Sequence, residues 1–586
     1  MPARPRSASP TPSYAERPWL SSYPPHVPAE IDVPDVPLTR FLDDAARRHP
    51  QARAISFLGT AITYRGLRAE VDALAAGLAG LGVRRGDRVA LVLPNCPQNV
   101  LAFHATLRLG GIVVECNPLS VEEELTRQLA NCGAEVVVCL DRVYETLAAI
   151  RASGGTAVRE IVVTSIVDYL PPSSRLRLRL PLASARKARA QVEVPLPPDA
   201  RVHRLGVVVR AGRSRPAARS PLQDGSEVAI LQYTTGTTGS SKGAMLTHRN
   251  LVANAHQCLA WYPEPRPGKE TVLCVLPLFH VYGITLCMTS GMAVAANLVL
   301  LPRFDQDMVF DAIARYRPTL FPGVPPIYQA LLDNPKIRSY DLRSIRACVS
   351  GAMKLPDDVR ERFERVTGGR LVEGYGMTET SPVTHAGPLS GPSSGPRKPG
   401  IGLPVPSTWA RIVDRDDPTV EVPVGEPGEL AVRGPQVFAG YWNRPYETAG
   451  VMSEGWLLTG DIARMDADGW FEIVDRKKEI IIAGGFNVYP NEVEEVLRGL
   501  PQVREVCVVG VPDRYRGETV KAFVVSKPGA SLTAEDVVAH AAEHLTPYKV
   551  PKLVEFRDEL PKVGVGKVLR RALREEERAK AGGAAR

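Results

Sequence analysis

The sequence predicts an α/β protein with a large N-terminal domain of two βαβ subdomains, a small β-barrel-like subdomain and a small α+β C-terminal domain. Apolar strands such as VALVLP, GIVVECN and AEVVVCL alternate with helical stretches from about residue 40 to 165, which is typical of parallel sheets. A second series of this kind runs from 226 to 405. Short strands joined by Asp-Gly and Gly-Pro turns follow it, and after Arg476 helices and strands alternate again.

The length of 586 residues exceeds what one hydrophobic core serves, so two or more domains are expected. We place the main boundary between Asp475 and Lys478, which gives domains over residues 31–478 and 479–570. Residues 1–18 are basic and rich in proline and serine, and we predict a disordered tail over residues 1–30. Residues 571–586 are predicted to form a second, fraying tail.

The composition is that of a globular protein, with 44% hydrophobic and 23% charged residues. The nine cysteines are odd in number and form no CxxC pair, so a disulfide framework or a zinc site has little support and a cytoplasmic location is expected. Residues 281–301 carry no charge and are long enough to cross a bilayer. Their internal threonine, serine, asparagine and glycine residues favour a buried helix followed by the strand ANLVLL.

A basic segment lies between residues 174 and 220. It contains twelve lysines and arginines and two acidic residues, which gives it a net charge of +10. Within it RLRLRL alternates apolar and cationic residues, as an amphipathic strand or an interfacial segment would. One interpretation is peripheral contact with anionic lipid headgroups, and the other is a solvated, variable insertion. Nucleic acid is not an expected partner, because no aromatic residues interleave with the charges.

The run YTTGTTGSSKGA, residues 233–244, is the strongest functional signal in the chain. Glycines allow backbone N–H groups to approach an anion, the hydroxyls supply donors, and Lys242 adds a mobile positive charge. An apolar strand precedes the run, and AMLTHRNL after it is predicted to begin a helix. The NTPase phosphate loop is excluded, because Lys242 precedes Gly243 where that loop requires serine or threonine. The sequence therefore predicts a different kind of polyphosphate-binding loop.

Five further segments occur in a fixed order with this run: LPLFHVYG, EGYGMTET, WLLTGD, DRKKEIIIAGGFNVYPNEVE and PKVGVGKVLRR. Together they resemble the adenylate-forming superfamily, over about residues 40–570, and look most like long-chain fatty acyl-CoA ligases. The resemblance implies an acid–thiol ligase that converts a carboxylate and ATP to an acyl-adenylate and pyrophosphate, then transfers the acyl group to coenzyme A. A medium- to long-chain fatty acid is the expected substrate, because LPLFHVYG offers no carboxylate to pair with an amino acid's ammonium group.

The resemblance assigns roles around the nucleotide. The loop would hold the β- and γ-phosphates, Glu379 would bind Mg²⁺, and Thr378 would donate to the α-phosphate. Tyr375 would stack on adenine opposite a wall formed by residues 350–352, and Asp461 and Arg476 would contact the ribose or phosphate. The complete set of expected ATP- and coenzyme A-binding residues is Thr234, Thr235, Gly236, Thr237, Thr238, Gly239, Lys242, Gly351, Ala352, Gly374, Tyr375, Gly376, Asp461, Arg476, Lys478, Gly484 and Gly485.

The remaining roles belong to catalysis and domain movement. Lys567, on a glycine-flanked loop, would bring its ammonium to the α-phosphate and the substrate carboxylate in the first half-reaction. The C-terminal domain would be mobile and rotate about Lys478, presenting Gly484 and Gly485 to the pantetheine arm. His280 would gate the acyl channel or shape its carboxylate end, although a histidine satisfied in the core is an alternative.

Several alternatives share these motifs. An acyl-AMP ligase that loads a carrier protein, a ligase of an aryl or other apolar acid, and a luciferase-like oxidase would keep every nucleotide-binding segment. A non-catalytic nucleotide- or lipid-binding protein belongs to another class and would be expected to lack Lys567 or Glu379, both of which are present. A homodimer is the candidate assembly.

Overall fold

The structure is a computed structural model that describes residues 13–184, 186, 189, 194, 196, 198–216, 224–235, 241–390, 398–483, 486–513, 516–563 and 567–583. The chain divides into two compact units. The larger unit contains Trp19–Trp409 and Arg433–Gly455, and the smaller contains the described parts of Met1–Pro18, Ala410–Val432 and Trp456–Arg586. The small β-rich segment thus groups with the C-terminal residues, whereas the sequence interpretation placed it with residues 31–478.

A seven-stranded sheet forms the first layer of the larger unit, and all its neighbouring strands are parallel except the last pair. The buried strands are rich in valine and isoleucine, as expected where both faces of a parallel sheet are covered. In spatial order the strands are Val202–Arg204, Glu160–Thr164, Val136–Leu140, Arg88–Val92, Ile112–Glu115, Val228–Thr235 and Ser241–Thr247.

The second layer consists of two four-stranded sheets. Leu320 connects them, because it forms one isolated β-bridge with Val272 of the first sheet and another with Ala347 of the second. The early strand Arg53–Phe57 pairs with Asn297–Leu300, so the two predicted βαβ series are not strictly consecutive in the chain. In spatial order the strands are Thr271–Cys274, Asn297–Leu300, Arg53–Phe57 and Thr60–Thr63 in one sheet, and Ala347–Ser350, Arg370–Gly376, Val383–Ala386 and Leu403–Pro404 in the other.

Helices cover these sheets and carry apolar faces into the core. The described α-helices of the larger unit are Arg40–Arg48, Tyr64–Gly80, Pro97–Arg108, Glu122–Cys132, Tyr144–Ala152, Pro172–Arg179, Leu205–Arg213, His248–Trp261, Val281–Gly283, Ser290–Ala293, Gln306–Tyr316, Pro325–Asp333, Asp357–Thr367 and Pro445–Ala449.

The helix predicted to begin within AMLTHRNL, residues 244–251, starts at His248, where Thr247 caps it by accepting from the Asn250 N–H after the strand Ser241–Thr247 ends. One secondary-structure prediction within the larger unit needs correction. The period-two RLRLRL segment is a helix, Pro172–Arg179, with proline at its first turn, and not a strand.

The uncharged segment 281–301 is helical and then extended, as predicted: helical residues run from Val281 to Ala293, with a π-helical part over Ile284–Thr289, and the strand Asn297–Leu300 follows. Among the described residues, no helix combines the length and the apolar composition that crossing a bilayer would require. All nine cysteines are free thiols.

The smaller unit contains two antiparallel-rich sheets and a hairpin. One sheet holds Trp409–Val413, Gly428–Arg433, Trp456–Met465 and Phe471–Arg476. The other holds Phe486–Val488, Ile481–Ala483, Gly517–Ser526, Val503–Asp513 and Leu553–Phe556, while Lys562–Val563 and Lys567–Val568 form the hairpin. Its α-helices are Pro490–Arg498, Ala534–His544 and Arg570–Gly583.

Both predicted tails are shorter than expected. Trp19 is fully buried in the larger unit, because its indole removes a large apolar area from water. At the other end, residues 570–583 form a helix, Leu573 is buried, and Glu577 pairs with Lys521 at 2.7 Å. The predicted disordered tails are therefore wrong around Trp19 and over residues 571–583. In each of these places an isolated apolar residue, Trp19 or Leu573, is buried.

Arg570 is the central cation of the smaller unit. Its guanidinium contacts the carboxylates of Glu479 and Glu494, the latter at 2.7 Å, and it lies 3.8 Å from Asp475. The side chain of Glu494 is 4% exposed and also accepts from the Val508 N–H. The C-terminal helix is thereby tied to the segment around Lys478 and to the helix Pro490–Arg498.

We predict that Arg570→Ala destabilises the protein by about 3–5 kcal/mol, because the buried carboxylates of Glu494 and Asp475 lose their buried cation and Glu494 keeps only its pair with the exposed Arg498. Arg571→Ala is the matched control, since the Arg571 pair with Glu575 is exposed and contributes about 0.3–0.5 kcal/mol. Urea denaturation of the full chain measures both changes. Equal, small losses in the two variants would contradict the role given to Arg570.

Candidate functional site

The predicted phosphate loop connects the edge strand Ser241–Thr247 of the large sheet to its antiparallel neighbour Val228–Thr235. Thr234 pairs with Lys242 across this hairpin, and Thr235 pairs with Ser241. The predicted ligands Gly236, Thr237, Thr238 and Gly239 lie outside the described residues, as does the side chain of Thr235. The hairpin therefore holds the two ends of the loop opposite each other.

Lys242 and Glu379 are linked through Tyr441, a residue that the sequence motifs did not indicate. The Lys242 ammonium lies 5.2 Å from the centroid of the Tyr441 ring, a cation–π contact. The Tyr441 hydroxyl donates to Glu379 Oε1 at 2.6 Å. Burial and the neighbouring Glu379 carboxylate raise the pKa of Tyr441, so its phenol stays a donor. The predicted loop lysine and the predicted metal ligand thus share one aromatic support.

The backbone explains how Tyr441 reaches this position. The Met245 N–H donates to the Gly440 carbonyl at 2.9 Å, and the Trp442 N–H donates to the Gly243 carbonyl at 2.8 Å. The Phe438 N–H donates to the Glu379 carbonyl at 2.8 Å. Residues 438–442 therefore run between the loop hairpin and the short 3₁₀ turn Thr378–Thr380. This long-range pairing brings Tyr441 to the site, and no local sequence motif indicates it.

The two walls expected around adenine lie at the carboxyl ends of neighbouring parallel strands. Ser350 ends one strand and is the register partner of Glu373 in the next, two residues before Tyr375. Ala352 has a φ of 67°, a left-handed conformation that non-glycine residues adopt at a cost and that is frequent at functional sites. The Ser350 hydroxyl is buried and has no hydrogen-bond partner among the described residues, so a donor is available here for a ligand.

The two glycines beside Tyr375 allow neighbouring segments of the chain to pack closely against this strand. A Cβ on Gly376 would meet the Pro382 carbonyl oxygen at 1.8 Å, and a Cβ on Gly374 would meet the Val349 side chain at 2.7 Å. Tyr375 itself is half-buried and packs edge to face against His385, with ring centroids 5.9 Å apart. The strand Arg370–Gly376 is therefore pressed against its neighbours, and this fixes the place of the Tyr375 ring.

His280 begins the short helical turn at Val281 and accepts a hydrogen bond at Nδ1 from the Tyr282 N–H, 3.2 Å away. Its side chain is solvent-accessible, but the protein atoms packed around it reduce its solvation, and this lowers the pKa of the imidazole. Tyr282 was not singled out from the sequence. Its hydroxyl donates to the Val349 carbonyl at 2.8 Å, and its ring would lie 3.0 Å from a Cβ on Gly351.

An apolar cavity begins beside these residues. Val349 lines it one residue before Ser350, and Leu286 lines it one helical turn beyond Tyr282. No charged side chain is among the described residues that line this cavity. The sequence predicts that Gly323, Val324 and Gly351 line an apolar acyl channel, but none of them is among the described residues that line this cavity. The lining includes Leu259, Tyr262, Leu286, Leu320, Val349 and Val383.

In the smaller unit, Asp461 and Arg476 face each other across two antiparallel strands. Arg476 Nε lies 2.7 Å from Asp461 Oδ1, and the Asp461 side chain is 2% exposed while that of Arg476 is 46% exposed. The pair is thus half-buried, and the carboxylate is held in place by the cation.

The other predicted residues of this unit are only partly described. Lys478 is exposed, and its backbone carbonyl accepts from Arg574 at 2.7 Å. The backbone of Lys567 pairs with Val563 in the hairpin, but its side chain lies outside the described residues. Gly484 and Gly485 lie outside them as well.

The residues present fit the requirements of a magnesium nucleotide. Glu379 is 6% exposed, and a buried carboxylate of this kind is a suitable ligand for Mg²⁺, which is commonly held by one or two carboxylates together with substrate phosphates. The buried Ser241 hydroxyl at the end of the loop has no hydrogen-bond partner among the described residues, so it is a second unused donor at this site. Thr378 begins the 3₁₀ turn that carries Glu379.

We predict that Tyr441→Phe weakens the binding of magnesium ATP by about tenfold or more, because a hydrogen bond to a charged group contributes about 1.5–3 kcal/mol. Isothermal titration of the two proteins measures this change. Tyr446→Phe, at a tyrosine that is 89% exposed, is the control and should bind as the unmodified protein does. Unchanged binding in Tyr441→Phe would show that the Tyr441–Glu379 contact does not support the site.

Comparison with known proteins supports this picture. The family described as AMP-binding enzyme matches residues 42–442, and the AMP-binding enzyme C-terminal domain matches residues 492–567. The chain is 46% identical over 565 residues to a long-chain-fatty-acid–CoA ligase of Bacillus subtilis, covering 96% of this chain and 98% of that protein. It is 42% identical to a protein of the same description from Escherichia coli O6:H1, again covering 96% and 98%.

Among solved structures, ATP-bound MatB from Rhodopseudomonas palustris superimposes with a TM-score of 0.77 at 30% identity, covering 92% of this chain and 98% of that one. The predicted α/β fold class and the predicted superfamily are both confirmed. Each unit contains residues of the matched regions, and the larger unit carries the loop, Glu379 and the adenine walls. This chain therefore belongs to the AMP-binding enzyme family.

Proposed function

We propose that this chain is a long-chain fatty acid–CoA ligase. It uses ATP to convert a fatty acid to an acyl-adenylate and pyrophosphate, and it then transfers the acyl group to coenzyme A with release of AMP. The similarity to long-chain-fatty-acid–CoA ligases over nearly the whole chain supports this activity.

The observation that carries the choice of substrate is the uncharged cavity beside Tyr282 and Ser350. Each methylene that it takes from water contributes about 0.8 kcal/mol to binding. An amino acid would need a carboxylate in the cavity to pair with its ammonium group, and the described lining offers none.

In the first half-reaction the chain must hold two anions in line, and we assign its residues accordingly. Residues 234–242 hold the β- and γ-phosphates. The Tyr441 ring positions the Lys242 ammonium through its cation–π contact. Glu379 holds Mg²⁺, which supplies Lewis-acid charge at the phosphates when bound. Thr378 donates to the α-phosphate, and Tyr375 stacks on adenine against Gly351 and Ala352. His280 shapes the carboxylate end of the acyl cavity.

The residues of the smaller unit complete the assignment. Asp461 accepts from the ribose hydroxyls, with Arg476 beside it. Lys567 places its ammonium at the α-phosphate and the fatty-acid carboxylate, where charge is redistributed in the transition state. Lys478 is the hinge for the second half-reaction, in which Gly484 and Gly485 allow the pantetheine arm to approach the backbone. The boundary near Lys478, a homodimer and a cytoplasmic location remain predictions.

We predict that the purified protein, given Mg²⁺, ATP, coenzyme A and saturated fatty acids of about six to twenty carbons, forms acyl-CoA and AMP that mass spectrometry detects. Lys567→Ala should lower acyl-adenylate formation by at least about 10²-fold, the typical effect of removing one transition-state donor. Thioester formation from supplied acyl-adenylate should survive in this variant.

Lys562→Ala is the matched control, because Lys562 lies in the same hairpin but pairs with Glu505 at 2.7 Å. Both of its half-reactions should proceed as in the unmodified protein. Equal loss of both half-reactions in Lys567→Ala would refute the assigned role, and acyl-adenylate without thioester in the unmodified protein would favour a carrier-loading ligase.

We further propose peripheral contact with anionic membranes through the helix Pro172–Arg179 and the residues that follow it. Leu176, Leu180 and Leu182 are 66%, 42% and 56% exposed, an unusual exposure for leucine. Exposed arginines at positions 175, 177 and 179 alternate with these leucines along the segment, so apolar and cationic side chains lie side by side at the surface. This pattern suits the boundary between headgroups and acyl chains, where a fatty-acid substrate is also found.

We predict that the protein sediments with vesicles containing anionic lipid and that binding falls steeply with salt, because each cation near the surface contributes about 1 kcal/mol. The double substitution Leu176→Ser with Leu180→Ser should abolish most of this binding. Leu553→Ser, at a leucine that is 45% exposed in the smaller unit, is the control. Binding that ignores both lipid charge and the double substitution would refute the contact.

A further inference from the structure

The helical segment that begins at Val281 runs along the apolar cavity, and one of its faces defines the long direction of the cavity. Tyr282, Leu286, Ser290 and Val294 follow one another at intervals of four residues, and the last three line the cavity. At a rise of about 1.5 Å per residue this face spans roughly 15–18 Å, the shorter value allowing for the π-helical part over Ile284–Thr289. Tyr282 touches the Gly351 region at one end, so Val294 marks the end remote from the adenylate.

Tyr262 lines the cavity near this remote end: the Gly268 N–H donates to the Val294 carbonyl at 2.8 Å, and Glu270, two residues further on, binds the Arg346 that contacts Tyr262. Tyr262 follows the last residue of the helix His248–Trp261 and is 6% exposed. Its hydroxyl accepts from the Arg346 guanidinium, whose central carbon lies 5.3 Å from the centroid of the Tyr262 ring. The ring therefore lies between the cavity on one side and a cation on the other.

Arg346 is itself fixed from the outside. Its Nη2 lies 2.6 Å from Glu270 Oε1, and the side chain of Glu270 is fully buried while that of Arg346 is 32% exposed. Glu270 Oε1 also accepts from the Arg266 backbone N–H at 2.9 Å. A buried carboxylate paired in this way resists displacement of its partner, because either group alone would lose solvation without compensation. The Tyr262 ring is thus held in place from its solvent side.

The side of the cavity at the neighbouring Trp261 does not offer an acyl chain a comparable route to solvent. Its indole N–H donates to the Gly387 carbonyl at 2.8 Å, and the Tyr23 ring packs against it with centroids 5.3 Å apart. The side of the cavity at Trp261 is therefore backed by further protein, whereas behind Tyr262 lie the partly exposed Arg346 and Arg266. An acyl chain that outgrows the cavity would reach solvent by the Tyr262 route.

We propose that Tyr262, held by the Arg346–Glu270 ion pair, is the end stop of the acyl cavity and sets the longest fatty acid that this chain activates efficiently. This inference rests on the proposed function, since it takes the cavity as the acyl site. Up to the stop, each added methylene raises kcat/KM by about fourfold. Beyond it, the chain must displace an aromatic ring that an ion pair holds in place, so kcat/KM falls.

The test is the chain-length profile of kcat/KM for acyl-CoA formation, over saturated acids of about eight to twenty-two carbons. Tyr262→Ala, and the less disruptive Tyr262→Val, should move the optimum to longer acids by about two carbons or more and raise kcat/KM for the longest acids by at least about tenfold. Tyr262→Phe should keep the original profile, because the ring remains. Arg346→Gln should broaden the profile toward longer acids, because the ring is released.

Tyr316→Ala is the matched control, since Tyr316 is a partly exposed tyrosine of the helix Gln306–Tyr316 and does not line the cavity. Its profile should equal that of the unmodified protein. An unshifted optimum in both Tyr262→Ala and Tyr262→Val, with short acids still turned over, would overturn the end stop and leave the ligase function standing. A shift in Tyr262→Phe as large as in Tyr262→Ala would also overturn it. Absence of turnover with every acid in the unmodified protein would instead refute the proposed function.

Discussion

The backbone pairing of the strand Ser241–Thr247 on both of its edges is the constraint on which the nucleotide end of the site depends. One edge pairs with Val228–Thr235 and so holds the two ends of the phosphate loop together. The other edge bonds to residues 439–442, which places the Tyr441 ring under Lys242 and its hydroxyl on Glu379. A loop rich in glycine and hydroxyl residues has no fixed geometry of its own. This strand supplies the rigid frame that such a loop requires.

The acyl end of the site depends on a different frame, the parallel strands that finish at Ser350 and Gly376. Their carboxyl ends carry the expected adenine walls, and Ala347 and Val349, in the strand that ends at Ser350, line the apolar cavity. The reacting carboxylate is therefore expected where a polar surface meets an apolar one, near Tyr282. Such an arrangement lets remote apolar contacts contribute to positioning the reacting group. It also explains why the substrate's chain and its carboxylate can be recognised by separate elements of one unit.

Much of this could be predicted from the sequence, because the signals are local. The strands of the parallel sheet are apolar runs, and the loop, Glu379, Asp461 and Arg476 lie in short segments with a fixed order. Tyr441 could not be predicted, since it acts through strand pairing with residues two hundred positions away. The burial of Trp19 and the helix Arg570–Gly583 were missed for a similar reason: one apolar residue in a polar stretch gives no periodicity, although it decides where the segment packs.

The central claim is that this chain activates a fatty acid through an acyl-adenylate before any thiol takes part. The exchange of labelled pyrophosphate into ATP, measured without coenzyme A, tests this most directly. We expect exchange that requires both Mg²⁺ and a fatty acid and proceeds in the absence of coenzyme A. Exchange that begins only when coenzyme A is added, or acyl-CoA formation accompanied by ADP in place of AMP, would contradict the account.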